Sequence, residues 1–251
     1  GTHTVCDVAD CAVVVPQLQK ALESVRRLLP DRLPNDLREL EAVAGDAGVS
    51  LVPEIADFQT RDVTRKIGKE NYQFNAASFF QINHDLLEPL VTTVTAETHG
   101  HRALDLYCGV GLFTLPLARK FLEVVGIESN PEASRYARGN LKFAGLANAR
   151  IITARVSSWL TYQAHSIKPL DFLLLDPPRS GAGPVVVQSI LGLRPARIAY
   201  VSCDPATLAR DLKDLLTGDY AIEAIVAFDM FPQTHHVEIV AHLQREGVDS
   251  R

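Results

Sequence analysis

After residue 100 the chain settles into an alternation of short apolar runs and helical stretches, and this rhythm constrains its fold more than any other feature. The runs RALDLYC, EVVGIE, ARIIT, DFLLLD, RIAYVS, AIEAIVAF and HVEIVAHL read as strands, and residues 112–121, 131–145, 184–193 and 205–217 read as helices. Strands that are apolar nearly throughout, with no polar alternation, belong to a sheet covered on both faces. The expectation is an α/β fold around a doubly wound parallel sheet, which receives ligands at the carboxyl ends of its strands. The segment DMFPQTHH between the last two runs contains a proline and no helical period. Those two strands are therefore expected to form an antiparallel pair at the sheet edge.

The first part of the chain has a different texture. Apolar residues at Leu18, Leu22, Val25, Leu28 and Leu29 keep the spacing of an amphipathic helix that opens at Pro16 and is expected to stop at Pro30. Between residues 31 and 75, Pro34, Gly45, Asp46, Gly48 and Pro53 punctuate runs such as VSLVPEIADF and NYQFNA, which suit short antiparallel strands. Residues 1–78 thus read as a small α+β unit and residues 79–251 as a larger α/β domain, a division that a 251-residue chain accommodates. The chain opens on Gly1 and its one methionine is Met230, so it is expected to be a piece of a longer protein.

Composition narrows the function classes. Hydrophobic residues at 47% exclude a disordered chain, and no apolar run approaches the roughly 20 residues of a membrane span. No leader-like segment opens the chain, so the cytoplasm is the expected location, and a monomer is the default expectation. With 25 Lys and Arg against 30 Asp and Glu, the net charge of -5 lacks the basic surplus that holds nucleic acid by charge alone. The cysteines Cys6, Cys11, Cys108 and Cys203 form no CxxC pair and no zinc-like spacing, which favours reduced thiols.

Chemistry is expected where strands end. The first run leads into Asp105-Leu106-Tyr107-Cys108-Gly109-Val110-Gly111, whose glycines let the backbone approach a ligand, and Glu128 follows at the end of the second. A carboxylate there can accept from both ribose hydroxyls of a nucleoside cofactor. Thr114 replaces the third glycine of a dinucleotide site, so S-adenosylmethionine fits better; a tight turn with a capping acid and no ligand is the alternative. The fourth run ends in Asp176-Pro177-Pro178-Arg179-Ser180-Gly181, a stiff loop suited to presenting a flat substrate, or simply a strand-to-loop stop. The fifth runs into Cys203, followed by Asp204 as N-cap and Pro205 at the first helical position. The thiol is expected to face the helix's positive end and to titrate low, unless it is only a small core hydrophobe. Last, Phe231-Pro232-Gln233-Thr234-His235-His236-Val237 leads to Glu238. The paired histidines lack companion ligands for a metal, whereas a carboxylate entering an apolar strand is where a general base with a raised pKa would sit, an exposed edge being the alternative.

A sheet of seven strands ending in a hairpin resembles that of class I methyltransferases. Together with Ser78-Phe79-Phe80-Gln81-Ile82-Asn83, the motifs DLYCGVG, LLDPPRSG, VSCDPATLARDL and DMFPQTHHVE follow the order seen in RNA uracil-5-methyltransferases, and residues 70–243 resemble that family. The resemblance implies Cys203 as nucleophile, Glu238 as base, and Gln81, Tyr107, Gly109, Gly111, Glu128 and Asp176 as contacts to S-adenosylmethionine. It implies an RNA substrate, a single-stranded or loop uridine more similar to ribosomal than to transfer RNA targets, with neither DNA nor membrane as partner. Carbon 5 of uracil is not nucleophilic, so thiolate addition at carbon 6 must first activate it, and a base must then remove the carbon 5 proton. The uridine would have to leave its stack to reach both groups.

The chain departs from the family in several places. Leu112 stands where many members carry Asn, Arg155 only weakly matches an adenosine contact, and the N-terminal RNA-gripping barrel of most members is not expected within these 251 residues. Cys11 resembles the last of four iron–sulfur ligands in some relatives, but Cys6 is wrongly placed, so no cluster is expected in this chain. Two rival readings are an exocyclic-amine methyltransferase, which shares the Asp-Pro-Pro loop but needs no nucleophile, and a non-catalytic RNA- or cofactor-binding fragment.

Overall fold

The computed structural model describes residues 8–11, 13–32, 37–55, 58–78, 80–81, 83–163, 169–234 and 236–247. The chain divides into two compact units, Gly1–Arg65 with Gln73–Phe79, and Lys66–Tyr72 with Phe80–Arg251.

The first unit holds helix α1 (Pro16–Arg32) and a hairpin of strands β1 (Glu41–Ala44) and β2 (Val49–Val52), paired antiparallel with Ala44 opposite Val49. α1 continues past Pro30, contrary to expectation. The proline falls in the last turn, where it forfeits its own N–H bond without ending the helix. Val25 on α1 packs with Leu51 and Ile55 into a small core. Strands β3 (Val63–Ile67) and β4 (Glu70–Phe74) alternate buried and exposed residues in a two-stranded sheet, through which the division between units runs.

The second unit is built on a seven-stranded sheet. In chain order its elements are α2 (His84–Val94), β5 (Gly100–Leu106), α3 (Thr114–Ala118), β6 (Phe121–Glu128), α4 (Pro131–Phe143), β7 (Ala149–Thr153), α5 (Val156–Gln163), β8 (Phe172–Leu175), α6 (Pro184–Leu193), β9 (Arg197–Ser202), α7 (Pro205–Leu215), β10 (Tyr220–Phe228) and β11 (Glu238–Arg245). The strand order is β10-β11-β9-β8-β5-β6-β7. The paired strands from β9 to β7 are parallel, and β11 runs antiparallel to both β9 and β10. This is the class I methyltransferase sheet, with the expected antiparallel pair at one edge. The strand order reverses at the β5–β8 pair, the crevice position where such sheets bind ligands.

Burial explains the apolar runs of the inner strands; the run of β10, expected to be covered on both faces, is instead mostly exposed because that strand lies at the sheet edge. All four residues of β8 are buried, and Leu104, Leu106, Val125, Ile127, Leu173 and Leu175 join Trp159, Val187, Ile190, Leu208 and Leu212 of α5, α6 and α7 in one core. Asp105 alternates with Leu104 and Leu106 and so faces the opposite side, where Thr114 of α3 donates to it. Helix starts follow local chemistry. Asn130 accepts from the amides of Glu132 and Ala133 at 2.8 and 3.2 Å, and Asp204 accepts from Thr207 at 2.8 Å, each with proline opening the helix. α3 is shorter than expected because β6 already begins at Phe121. Among the described residues no helix is long and apolar enough to cross a membrane.

Leu104 is fully buried at the sheet centre. Leu104→Ala is expected to cost about 2–5 kcal/mol in equilibrium urea denaturation; a loss under about 1 kcal/mol would mean that this face is not a packed core.

Candidate active site

The loop after β5 is a backbone cradle fixed from several sides. The Cys108 amide donates to the Ile127 carbonyl at 3.1 Å and the Gly111 amide to the Cys108 carbonyl at 2.8 Å. Asn140 of α4 donates to the Val110 carbonyl at 3.0 Å, and the buried Tyr72 hydroxyl donates to the Leu112 carbonyl at 2.9 Å. Tyr107, Gly109 and Gly111 have φ of 64°, 53° and 92°, all in the left-handed region. A Cβ on Gly109 would meet nothing within 4 Å, so its backbone is open to a ligand, whereas one on Gly111 would press to 3.0 Å from Leu115. Glu128 Oε1 accepts from the Asn130 amide at 2.7 Å and the Ser129 hydroxyl at 3.4 Å, and Oε2 from the Gly109 amide at 3.0 Å, which leaves a lone pair on Oε2 for a further donor. Burial, reinforced by Asp211, pushes the Tyr107 hydroxyl up to about 12.

Beside this cradle the structure gathers the acids and the thiol. The Asp176 amide donates to the Leu106 carbonyl at 3.3 Å, which sets the Asp-Pro-Pro loop against the end of β5. Because β11 is antiparallel to β9, with Ile239 opposite Ser202, Glu238 enters its strand where Cys203 leaves β9. Glu238 is buried, and burial raises its carboxyl to about 7 against the opposing effect of a hydrogen bond from Gln81. One oxygen of Glu238, the amide oxygen of Gln81 and one oxygen of Asp105 are buried without a hydrogen-bond partner. Asp105, fully enclosed, is raised to about 7 by burial, with Thr114 opposing. Asp176 is held well above the usual carboxylate range by desolvation, then by Glu238 and Asp105.

The thiol corrects one expectation. Cys203 is half-buried and titrates above an ordinary cysteine, not below it: desolvation and the negative charges of Glu238 and Asp176 outweigh the Arg179 guanidinium. The N-cap of α7 forms as expected, but the helix's weak positive end cannot offset carboxylates brought in from other strands. Arg179 also approaches His236, with Nη2 at 3.4 Å from the ring Nε2.

Sequence comparison decides the family. The sequence pattern of the family described as tRNA (uracil-5-)-methyltransferase matches residues 57–246. The chain belongs to this family of uracil-5-methyltransferases. It is 44% identical over 176 residues to an uncharacterised RNA methyltransferase of Thermosynechococcus vestitus, covering 68% of this chain and 38% of that protein. It is 34% identical over 287 aligned positions to a 23S rRNA (uracil(1939)-C(5))-methyltransferase of Klebsiella pneumoniae, covering 98% of this chain. The chain spans 64% of that relative's length. Among solved structures, the Pyrococcus abyssi tRNA (uracil-54, C5)-methyltransferase in complex with S-adenosyl-L-homocysteine superposes with a TM-score of 0.77 at 27% identity, over 96% of this chain and 70% of that one.

In this chain, Gln81, Asp176, Cys203 and Glu238 surround one end of the sheet, and Tyr107, Gly109, Gly111 and Glu128 line the adjoining cradle. Leu112 turns its side chain into the core, and Arg155 is exposed. Phe79, Ile82 and His235 of the quoted motifs, and Cys6, lie outside the described residues. Cys11 is half-buried, its amide donating to Gln19 at 3.3 Å; among the described residues no three or more His, Cys, Asp or Glu side chains are grouped to hold a metal. Asn140, Tyr72 and Asp211 went unrecognised in the sequence because their partners are distant in it. If the carboxylate at position 238 raises the thiol, Glu238→Gln must lower the pH midpoint for alkylation of the Cys203 peptide by iodoacetamide. An unchanged or higher midpoint would refute this electrostatic assignment.

Proposed function

We propose that this chain transfers a methyl group from S-adenosylmethionine to carbon 5 of a uridine in RNA, through a covalent bond between Cys203 and carbon 6, with Glu238 as the base. The observation that carries this reading is the pairing of a half-buried thiol with a buried, incompletely hydrogen-bonded carboxyl at the ends of β9 and β11. The open Gly109 backbone and the acceptor capacity of Glu128 fit a nucleoside cofactor, with Tyr107, Gly111 and Asp176 as further contacts. When bound, the cofactor supplies an electrophilic methyl group.

The chain's own residues do the rest. The Cys203 thiolate forms a bond to carbon 6, and the carbon 5–carbon 6 π pair moves toward carbon 5 and the O4 enolate. After methylation Glu238 takes the carbon 5 proton, and the released pair restores the double bond and expels the thiolate. Gln81 holds Glu238 by a hydrogen bond and keeps an acceptor oxygen free for a donor on the base or the cofactor. A cluster of carboxyls with raised pKa values suits proton uptake near neutrality. An amine-methylating enzyme would have no use for the Cys203–Glu238 pair. A ribosomal target is favoured by 34% identity with the Klebsiella enzyme over nearly the whole chain, against 27% with the archaeal transfer RNA enzyme. We assign the chemistry to residues 79–251 and leave residues 1–78 as an accessory unit.

With single-stranded uridine RNA and S-adenosylmethionine, Glu238→Gln is expected to lose about 10²–10⁴ of its turnover. It should retain methylated RNA covalently on Cys203, seen by denaturing mass spectrometry. In the wild type the rate should climb as pH rises through about 7, where the Glu238 carboxyl ionises. A fully active Glu238→Gln variant would eliminate this assignment of the base.

A further inference from the structure

One face of α7 grips the loop that follows β8. The Thr207 hydroxyl donates to the Arg179 carbonyl at 3.2 Å, and Arg210 Nη2 donates to the Ser180 carbonyl at 2.9 Å. Asp211 accepts from the Ala182 amide at 2.8 Å and the Gly183 amide at 3.4 Å. Residues 207, 210 and 211 share a helix face by their spacing of three and four. Asp211 is 1% exposed, and its carboxylate also accepts from the Tyr200 hydroxyl at 2.7 Å and from Arg210 Nε at 2.9 Å. A carboxylate bonded from so many sides fixes geometry as well as contributing energy. The fit is tight enough to exclude a side chain at Gly181 (φ 77°), whose Cβ would stand 2.5 Å from Arg210 Nη2 and 2.7 Å from Asp211 Oδ2.

The same helix begins at Pro205, directly after Cys203 and Asp204, so its start places the thiol and its first two turns hold the loop that carries Asp176 and Arg179. We infer that Asp211 is a positioning residue that, through the Ala182 and Gly183 amides and Arg210, holds Arg179 in register with the Cys203 thiol. This rests on the reading of Cys203 as the nucleophile. Arg179 is the cation that pulls the thiol's titration down, so a loosened loop should cost both reactivity and alignment.

The test compares wild type, Asp211→Asn, Tyr200→Phe and Arg179→Gln. Tyr200→Phe removes the hydroxyl that both donates to Asp211 and accepts from the Ala182 amide at 3.1 Å, and it leaves the ring in the core. For each protein the pH midpoint of Cys203 alkylation and the kcat for methyl transfer to uridine RNA are measured, with thermal unfolding as the check on folding. Deleting a negative charge can by itself only lower a thiol's midpoint. An upward shift in Asp211→Asn therefore reports a displaced Arg179. We expect that upward shift, a smaller one in Tyr200→Phe, a kcat loss on the order of 10–100-fold in Asp211→Asn, and no further upward shift when Asp211→Asn is added to Arg179→Gln. A midpoint that stays or falls in the folded variants would overturn the inference; should Asp211→Asn unfold, Tyr200→Phe decides. If the wild type transfers no methyl group, the proposed function fails, yet the alkylation comparison still decides the role of Asp211.

Discussion

The site depends on a reversal of direction in the sheet. A parallel strand inserted beside β9 would deliver its first residue to the far edge, away from the ligand crevice. β11 runs the other way, with Ile239 opposite Ser202, and so a residue that begins one strand stands beside the residue that follows another. The short linker between Phe228 and Glu238 makes this possible, since an antiparallel neighbour needs no helical crossover. Asn83, the N-cap of α2, ties that linker down by donating to the Met230 carbonyl at 3.2 Å, and Gln81 reaches Glu238 from the same stretch.

What the reversal brings together is electrostatically uncomfortable. Desolvation raises Asp105, Asp176 and Glu238, with the charges of Glu238 and Asp105 adding to it at Asp176, and desolvation then Glu238 and Asp176 hold the Cys203 thiol up, with Arg179 as the opposing charge. Such crowding disfavours ionisation in the folded chain and is characteristic of sites that move protons. It also explains why the loop bearing Arg179 is held so firmly: a cation that moderates the repulsion must stay where the thiol is.

Much of this was legible in the sequence, and the reasons can be named. The inner strands β8 and β9 read correctly because burial on both faces leaves an unbroken apolar run, whereas β10 is as apolar in sequence yet lies mostly exposed at the sheet edge. α7 was readable from Asp204 and Pro205, whose capping chemistry is local. α5 was not: VSSWLTYQ carries neither a charged first turn nor a cap, and Trp159 and Leu160 gain their meaning only from α6 and the sheet. The same division holds at the site. The motifs marked where the strands end, but the shift at Cys203 depends first on burial and then on Glu238 and Asp176, which other strands bring in. The tethers Tyr72 to Leu112, Asn140 to Val110 and Asp211 to Ala182 likewise join residues far apart in the chain.

The covalent bond proposed between Cys203 and carbon 6 of a uridine is read by denaturing mass spectrometry after incubation with S-adenosylmethionine and a short 5-fluorouridine RNA. Fluorine cannot leave carbon 5 as a proton does, so a methylated adduct remains on the protein. The account predicts that adduct on the wild type, located on the Cys203 peptide, and none on Cys203→Ala. An adduct on both proteins, or methylated RNA formed by Cys203→Ala, would contradict it.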